Sequence, residues 1–512
     1  MKHITVITGV MACCLSAEGG NIVKVTGGTI SGYTESGVRI FKGVPYAAPP
    51  VGDLRWKPPQ PVIDWDGVRN CTEFGAVCPQ RPFPEQSLYH LPAEPQSEDC
   101  LFLNVWSPEK QTGTSLPVMV WIHGGGWTRG SGSTYLYDGA ALARRGVVVV
   151  TINYRLGAFG FYAHPELTAE SSVGASGNQG ILDQIAALQW VQQNIEQFGG
   201  NPEQVTIFGE SAGSWSVHML QTTPLAKGLF HRAIGQSGAR FDNARRLDEA
   251  TDNEPSAHEQ GMKFAEEFEV STLKELRVLS AESIVKASFD TAHTIDGYVL
   301  PDSVASIFAQ GKQNRVPILV GSNADEMTSL SVPAMIPKTV DAVTKALTKQ
   351  MGAKATEKLK SVYGVHSDDT AMRGFLQIGG DIRFAVGMRT WVRLNTAAET
   401  DSYLYHFTHT PPSPSPEYFR AYHAGEIAYV FDNTQDHKQT TYDAEDRKLS
   451  DMMSRYWVNF AKTGNPNGEG QPEWPKYDAE NEGYMELGNT ICAKQHLLRK
   501  RLDFLESLNP GQ

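Results

Sequence analysis

An α/β fold built on a large, mostly parallel sheet is the class this sequence predicts, and three observations predict it. Four runs are apolar nearly throughout: "PVMVWIH" (Pro117–His123), "GVVVVTINY" (Gly146–Tyr154), "VTIFG" (Val205–Gly209) and "VPILVG" (Val316–Gly321). Strands covered on both faces have this composition, because neither face can be polar. Helical patterns lie between and after them. In "NQGILDQIAALQWVQQNIEQFGG", Ile181, Ile185, Leu188, Val191 and Ile195 fall on one helical face, and Gly199-Gly200 end it. Strands that alternate with helices close into an α/β layer structure.

The elements before the first apolar run read differently. "NIVKVTGGTISGY" and "GVRIFKGVPYA" alternate in polarity and turn at glycines, the pattern of half-exposed β-strands. The stretch from about Asp242 to Gln313 is more helical and reads as a cap or insertion over the sheet. "PPSPSP" at Pro411–Pro416 reads as a surface loop. Residues 1–20 carry Lys2 and His3, then an apolar stretch, then small residues, which resembles a short signal peptide. "VMAC" (Val10–Cys13) also resembles a bacterial lipobox, with Cys13 as the residue that would take the lipid anchor. Either reading places the protein outside the cytoplasm, as periplasmic, secreted or a lipoprotein; the plain alternative is a disordered or strand-forming start to a cytoplasmic protein.

Composition excludes several classes. Of 512 residues, 40% are hydrophobic and 20% charged, an ordinary globular balance with no sign of disorder. A formal net charge of -12 argues against a nucleic-acid binder, and "LLRKR" near Leu498–Arg501 reads as a solvated helix end. No apolar run reaches the length of a membrane span. The six cysteines are Cys13, Cys14, Cys71, Cys78, Cys100 and Cys492. They are too few for a disulfide scaffold and form no zinc-like CxxC pair, though they leave room for one isolated bridge.

The chemistry sits in two glycine motifs. "Gly209-Glu210-Ser211-Ala212-Gly213" matches G-x-S-x-G, follows a strand and precedes a helical pattern. A sharp strand-to-helix turn needs small neighbours, and it lifts the serine hydroxyl to a helix N-terminus, where negative charge is favoured. The plainer reading is a polar loop. "WIHGGGWTRG" (Trp121–Gly130) argues against it, because consecutive glycines expose backbone N–H groups that an acyl-transfer oxyanion requires. A phosphate cradle would need a G-K-[ST] ending, which is missing here.

The chain resembles the type-B carboxylesterases, the family of bacterial para-nitrobenzyl esterases, mammalian carboxylesterases and cholinesterases. The resemblance runs from about Gly27 to Phe504 and rests on "FKGVPYAAPPVGDLRW", "SEDCLFLNVW", "HGGGW", "NYRLGAFGF", the stretch Gly177–Ser214, "QSGA" and "NFAKTGNPN". It implies the α/β-hydrolase fold, with helical insertions over the active site, in a single catalytic domain over 21–512. It implies hydrolysis of small-molecule carboxylic esters with neither metal nor organic cofactor.

The order in this fold is nucleophile, acid, histidine. Ten of the fourteen histidines follow Ser211. Residue type alone leaves them open, with His406 and His409 as competitors. The family's base lies in a segment like "YHAGEIAYVF", which selects His423, although Ala424 stands where relatives often have glycine. "SNADEM" offers Asp325 and Glu326; the family uses the second acid of such a pair, hence Glu326. The resemblance further implies an oxyanion hole from Gly125, Gly126 and Ala212, support of the acid and base by Ser237, and ion pairs Arg55–Glu98 and Arg155–Asp183. Trp127 is expected to pack near the acyl side. A disulfide is expected between Cys78 and Cys100, with Cys71 left out.

Two rival functions remain at this level. Adhesion proteins of this fold have lost catalysis, but they typically lack a triad member. A lipase would need an apolar lid, and no segment reads as one. The segment between Cys78 and Cys100 holds Phe83 and Tyr89 but no tryptophan, which argues against quaternary-ammonium substrates.

Overall fold

The computed structural model describes residues 21–110, 113, 115–241, 244–251, 254–434 and 440–508. The export-like segment and Cys13 lie outside the described residues. The strands, in chain order, are β1 (Ile22–Val25), β2 (Gly28–Ser31), β3 (Tyr33–Glu35), β4 (Val38–Pro45), β5 (Val68–Asn70), β6 (Phe102–Pro108), β7 (Leu116–Ile122) and β8 (Val148–Ile152). They continue with β9 (Gly200–Glu210), β10 (Arg232–Gln236), β11 (Arg245–Arg246), β12 (Thr294–Ile295), β13 (Ile318–Asn323), β14 (Ser402–Phe407), β15 (Gly483–Leu487) and β16 (Cys492–Gln495).

The main sheet has eleven strands among the described residues, in the order β16-β15-β14-β13-β10-β9-β7-β8-β6-β4-β3. From β8 to β15 the neighbours are parallel; antiparallel pairs finish both edges. This is the α/β-hydrolase arrangement. β1, β2 and β5 form a separate small sheet, while β3 and β4, the other N-terminal strands expected to be half-exposed, finish one edge of the main sheet, with β4 buried along nearly its whole length.

The apolar runs are apolar because each strand feeds two cores. Along β7, Val118, Val120 and Ile122 enter one cluster, while Met119 and Trp121 enter the other. β8 repeats this with Val148, Val150 and Ile152 against Val149. Side chains alternate across a strand, so a sheet covered on both sides shows no alternation of polarity. Trp121 is fully buried against Tyr137, Phe208 and Phe431. Truncating such a tryptophan typically costs about 3–5 kcal/mol.

The helix expected after Asn178 spans Gln179–Asn194 and tightens into a 3-10 turn, Ile195–Phe198. Gly199 ends it in the left-handed conformation at φ 81, and Gly200 opens β9. Among the described residues between β10 and β13 lie the β11–β12 pair and four short helices, at Ala257–Glu266, Leu273–Arg277, Ala281–Lys286 and Val304–Ala309. Arg55 ties this insertion down: it bonds Glu98 at 2.5 and 2.7 Å and donates to the carbonyls of Leu276, Arg277 and Leu279. Arg155–Asp183, at 2.7 Å and buried on both sides, locks the glycine-rich Asn153–Phe161 stretch to the Gln179–Asn194 helix.

Candidate active site

The parallel strands all deliver their loops to one end of the sheet, and the predicted residues collect there. Ser211 follows β9, the three glycines follow β7, Glu326 follows β13, and His423 lies in the segment after β14. Open α/β sheets place their sites at the carboxyl ends of strands for this reason.

Ser211 has φ 54 and ψ -121, outside the usual regions for a residue with a side chain. The turn is over-determined by its neighbours. A Cβ on Gly213 would lie 2.0 Å from the Ile122 carbonyl oxygen, and one on Gly209 would lie 2.6 Å from the Gly213 carbonyl carbon. Both glycines are therefore steric requirements of the motif. The Ser211 N–H donates to the Gln236 carbonyl at 2.8 Å, and the helix Ala212–Thr222 begins at the next residue. The serine thus stands strained at a helix N-terminus.

The glycine loop folds over this turn. A Cβ on Gly124 would meet the Glu210 carbonyl oxygen at 2.7 Å and Ser211 Cβ at 3.1 Å. Gly125 and Gly126 have φ 102 and 66, a region glycine enters without strain. Among the described residues the amides of Gly125, Gly126 and Ala212 donate to no backbone carbonyl, so all three remain available as donors. Trp127 is fully buried, bonds Ser216 Oγ at 2.8 Å and contacts Phe161 and Trp215.

Opposite the serine, His423 and Glu326 are joined: Nδ1 and Oε2 are 2.6 Å apart and both residues are buried. The second Glu326 oxygen accepts the Asn323 N–H at 2.7 Å. Asp325 points elsewhere, to Arg373 at 3.3 Å, which separates the two neighbouring acids. Of the competing histidines, His406 is buried on β14 and held near 4 by burial. His409 bonds Asp446 and Asn489 at 2.7 and 2.8 Å. Neither reaches the Glu326–His423 pair.

Four contacts around the pair escape the sequence reading. Glu210, the variable letter of the serine motif, is buried with Oε1 3.1 Å from His423 Nε2. The imidazole Nε2 faces this carboxylate here, and Ser211 Oγ makes no hydrogen bond among the described residues. Glu426, fully buried, accepts from Asn323 at 2.7 Å and Gln236 at 3.0 Å. Phe384 lies against the imidazole with ring centroids 4.7 Å apart, presented by the π-helical turn Asp381–Ala385. Tyr89 donates its hydroxyl to the His423 carbonyl at 2.8 Å and pairs with Ser329 Oγ at 2.7 Å. Ala424 has φ 64, the conformation glycine takes freely, at a cost for alanine of about 1–2 kcal/mol.

The charges are strongly coupled. Burial alone would lower the pKa of His423, but the carboxylates of Glu210 and Glu326 outweigh it and raise the imidazole to about 9. Burial raises the Glu210 carboxyl well above the usual range, and His423 opposes that. The two shifts conflict, since a neutral Glu210 would not hold charge on the imidazole. The imidazole shift governs, because carboxylates address both of its nitrogens.

Two expectations need correction. Cys78 and Cys100 carry no disulfide: both are buried free thiols. They are nonetheless neighbours, since the hydrogen bond between their side chains and burial raise the Cys100 thiol. Cys78 Sγ also accepts the Leu156 N–H at 3.2 Å. Cys71, buried elsewhere, is paired through its backbone to Ser31 and Lys42. The Ser237 hydroxyl is buried without a hydrogen-bond partner among the described residues, so it does not support the acid as expected. Asn323 N–H occupies the carboxylate oxygen instead, while Ser237, at φ 52, is held by its N–H to the Gly321 carbonyl at 2.8 Å.

The carboxylesterase family model matches residues 19–505. A fumonisin B1 esterase from Sphingopyxis macrogoltabida is 38% identical over 92% of this chain and 87% of its own length. The para-nitrobenzyl esterase of Bacillus subtilis (strain 168) is 36% identical over 92% of this chain and 95% of its own. A liver carboxylesterase 1F from Rattus norvegicus is 37% identical over 95% and 92%. Among solved structures, a PNB esterase superposes with a TM-score of 0.82 at 33% identity, covering 95% of this chain and 99% of that one.

Proposed function

Because the chain belongs to the carboxylesterase family and is a carboxylic-ester hydrolase, we propose that Ser211 is its nucleophile, His423 its general base and acid, and Glu326 the acid that orients the imidazole. The observation that carries the assignment is the 2.6 Å contact between His423 and Glu326 at the strand ends that also bear the strained Ser211 turn. Ser211 Oγ attacks the ester carbonyl as His423 Nε2 takes its proton. The amides of Gly125, Gly126 and Ala212 donate to the oxyanion. The alcohol leaves with the proton from His423, and water then repeats the sequence on the acyl-serine. For this the imidazole swings its Nε2 from Glu210 towards Ser211, while Phe384 and Tyr89 hold its ring and backbone.

Hydrolysis of a 4-nitrophenyl ester tests the roles. Ser211→Ala and His423→Ala each lose on the order of a million-fold in turnover, because members of a triad act as a unit. His406→Ala, whose target makes no hydrogen bond to Ser211, His423 or Glu326, stays near wild type. A dead His406 variant beside an active His423 variant would reassign the base.

The natural compartment belongs to the same proposal. Residues 1–20 direct export, with Cys13 as the point of lipid attachment if the segment is processed as a lipoprotein.

A further inference from the structure

The helices Asp368–Gly380 and Val386–Ala397 run into one another through the π-helical turn Asp381–Ala385. The Val386 N–H reaches back to the Asp381 carbonyl to close that turn. Such wide turns are rare, mostly single, and frequent at functional sites. Relaxing this one to an α-turn would rotate its side chains by about 100°, one residue's step on an α-helix. Phe384 is buried in the turn, with its ring centroid 4.7 Å from that of His423 and the two planes at 31°. Such a rotation would carry it off the imidazole. The turn therefore sets the surface on which the ring of the base lies.

One residue grips this turn twice. Asp381 supplies the carbonyl that closes it, and its buried side chain ties the turn to two other helices. Oδ2 accepts the hydroxyl of Tyr363, at the end of the helix Ala353–Val362, at 2.8 Å. Arg501, from the helix Arg499–Leu508, stands 3.8 Å from the same oxygen and lies over the Tyr363 ring, 4.8 Å from its centroid. Burial pushes the Asp381 carboxyl up to about 6, against the Tyr363 hydrogen bond and the Arg501 charge, while the Glu326 and Asp325 carboxylates add to the rise. The group is ionised at the mildly alkaline pH of an ester assay, and its burial strengthens the bond to Tyr363. The start of the turn also adjoins the acid, since a Cβ on Gly380 would lie 3.5 Å from Glu326 Cβ.

We propose that Asp381 is a positioning residue for the ester hydrolysis: its carboxylate, held by Tyr363 and Arg501, keeps the turn in its π register, and the turn keeps Phe384 against the His423 ring. The inference rests on His423 as the base. Asp381 makes no hydrogen bond to Ser211, His423 or Glu326, so it acts through Phe384. In each cycle the imidazole passes its Nε2 from Glu210 to Ser211 and back, and the Phe384 face is the surface it turns against. Displacing a catalytic group by about 1 Å from a distant position can cost about a hundredfold in rate. A neutral side chain at position 381 loosens the turn while leaving every triad atom in place.

The test is turnover of a 4-nitrophenyl ester by the full-length enzyme, expressed per site counted by end-point fluorophosphonate labelling. A merely structural carboxylate would leave kcat per labelled site unchanged. Asp381→Asn should instead lower it by about tenfold to a hundredfold, with KM within about twofold of wild type. Tyr363→Phe, which removes only the hydroxyl, should lower kcat in the same direction by less. Phe384→Leu should lose about as much as Asp381→Asn. Adding Asp381→Asn to Phe384→Leu should cost less than about twofold more, because both changes act through one contact. A kcat within about twofold of wild type in both Asp381→Asn and Tyr363→Phe overturns the inference and leaves the triad intact. Losses that multiply in the double variant overturn it as well. If Asp381→Asn yields no folded protein, Tyr363→Phe alone and combined with Phe384→Leu decides by the same criteria. If His423→Ala turns over like wild type, the base assignment fails and takes the inference with it.

Discussion

The turn around Ser211 is held by backbone, whereas the cluster opposite it is held by side chains from distant segments. At the turn, Gly209, Gly213 and the Ile122 carbonyl leave no room for any other path, and the serine's strain follows from that packing. At the cluster, Glu326, His423, Glu210 and Glu426 come from three separate stretches and are fixed by hydrogen bonds and an ion pair at 2.6 to 3.1 Å. A turn of the first kind is written in a short motif. A cluster of the second kind exists only once the sheet has brought its strand ends together. The first should tolerate almost no change in size, and the second almost no change in charge.

The sharpest way to break the comparison is to alter charge while keeping shape. Glu326→Gln preserves volume but removes the partner of the imidazolium, and turnover should fall by about ten-thousand-fold, as for the equivalent change in a well-studied triad. Asp325→Asn, one residue away and turned towards Arg373, should change turnover little. Steady-state kinetics with a 4-nitrophenyl ester separate the two, and equal losses would mean that the cluster is not specific to Glu326.

A smaller effect sharpens the role of Glu210. Its carboxylate favours the charged imidazole, so it lifts His423 and the pH above which the neutral base is available. Glu210→Gln removes that negative charge from beside the imidazole. The acidic limb of kcat/KM, which reports the free-enzyme base, should then move to lower pH, by about 1–3 units for one opposite charge in contact. An unmoved limb would mean that Glu210 is neutral in the active enzyme; an upward shift would contradict the electrostatic account.

These contrasts explain what could be read in the sequence. The parallel strands were legible because burial on both faces makes Val118–Ile122 and Val148–Ile152 apolar without alternation. Ser211 was legible because its glycines are sterically compelled. His423 and Glu326 required the family resemblance, since nothing local separates His423 from His406, or Glu326 from Asp325. Glu210 stayed hidden because it occupies the variable letter of its motif and points to a partner more than two hundred residues on. Phe384 stayed hidden because a π-helical turn has no sequence period of its own. Ser237 illustrates the same limit: its hydroxyl finds no hydrogen-bond partner among the described residues, and the Glu326 oxygen takes the Asn323 N–H, a contact no local motif announces.

The central claim is that Ser211 is activated by His423 at the end of β9. A fluorophosphonate probe reports this directly, because it reacts with a serine only when the base beside it is working. Peptide mapping of the labelled full-length protein should place one adduct, on Ser211, and His423→Ala should abolish it while leaving the fold intact by circular dichroism. An adduct on another serine, or undiminished labelling of Ser211 in the His423 variant, would contradict the account.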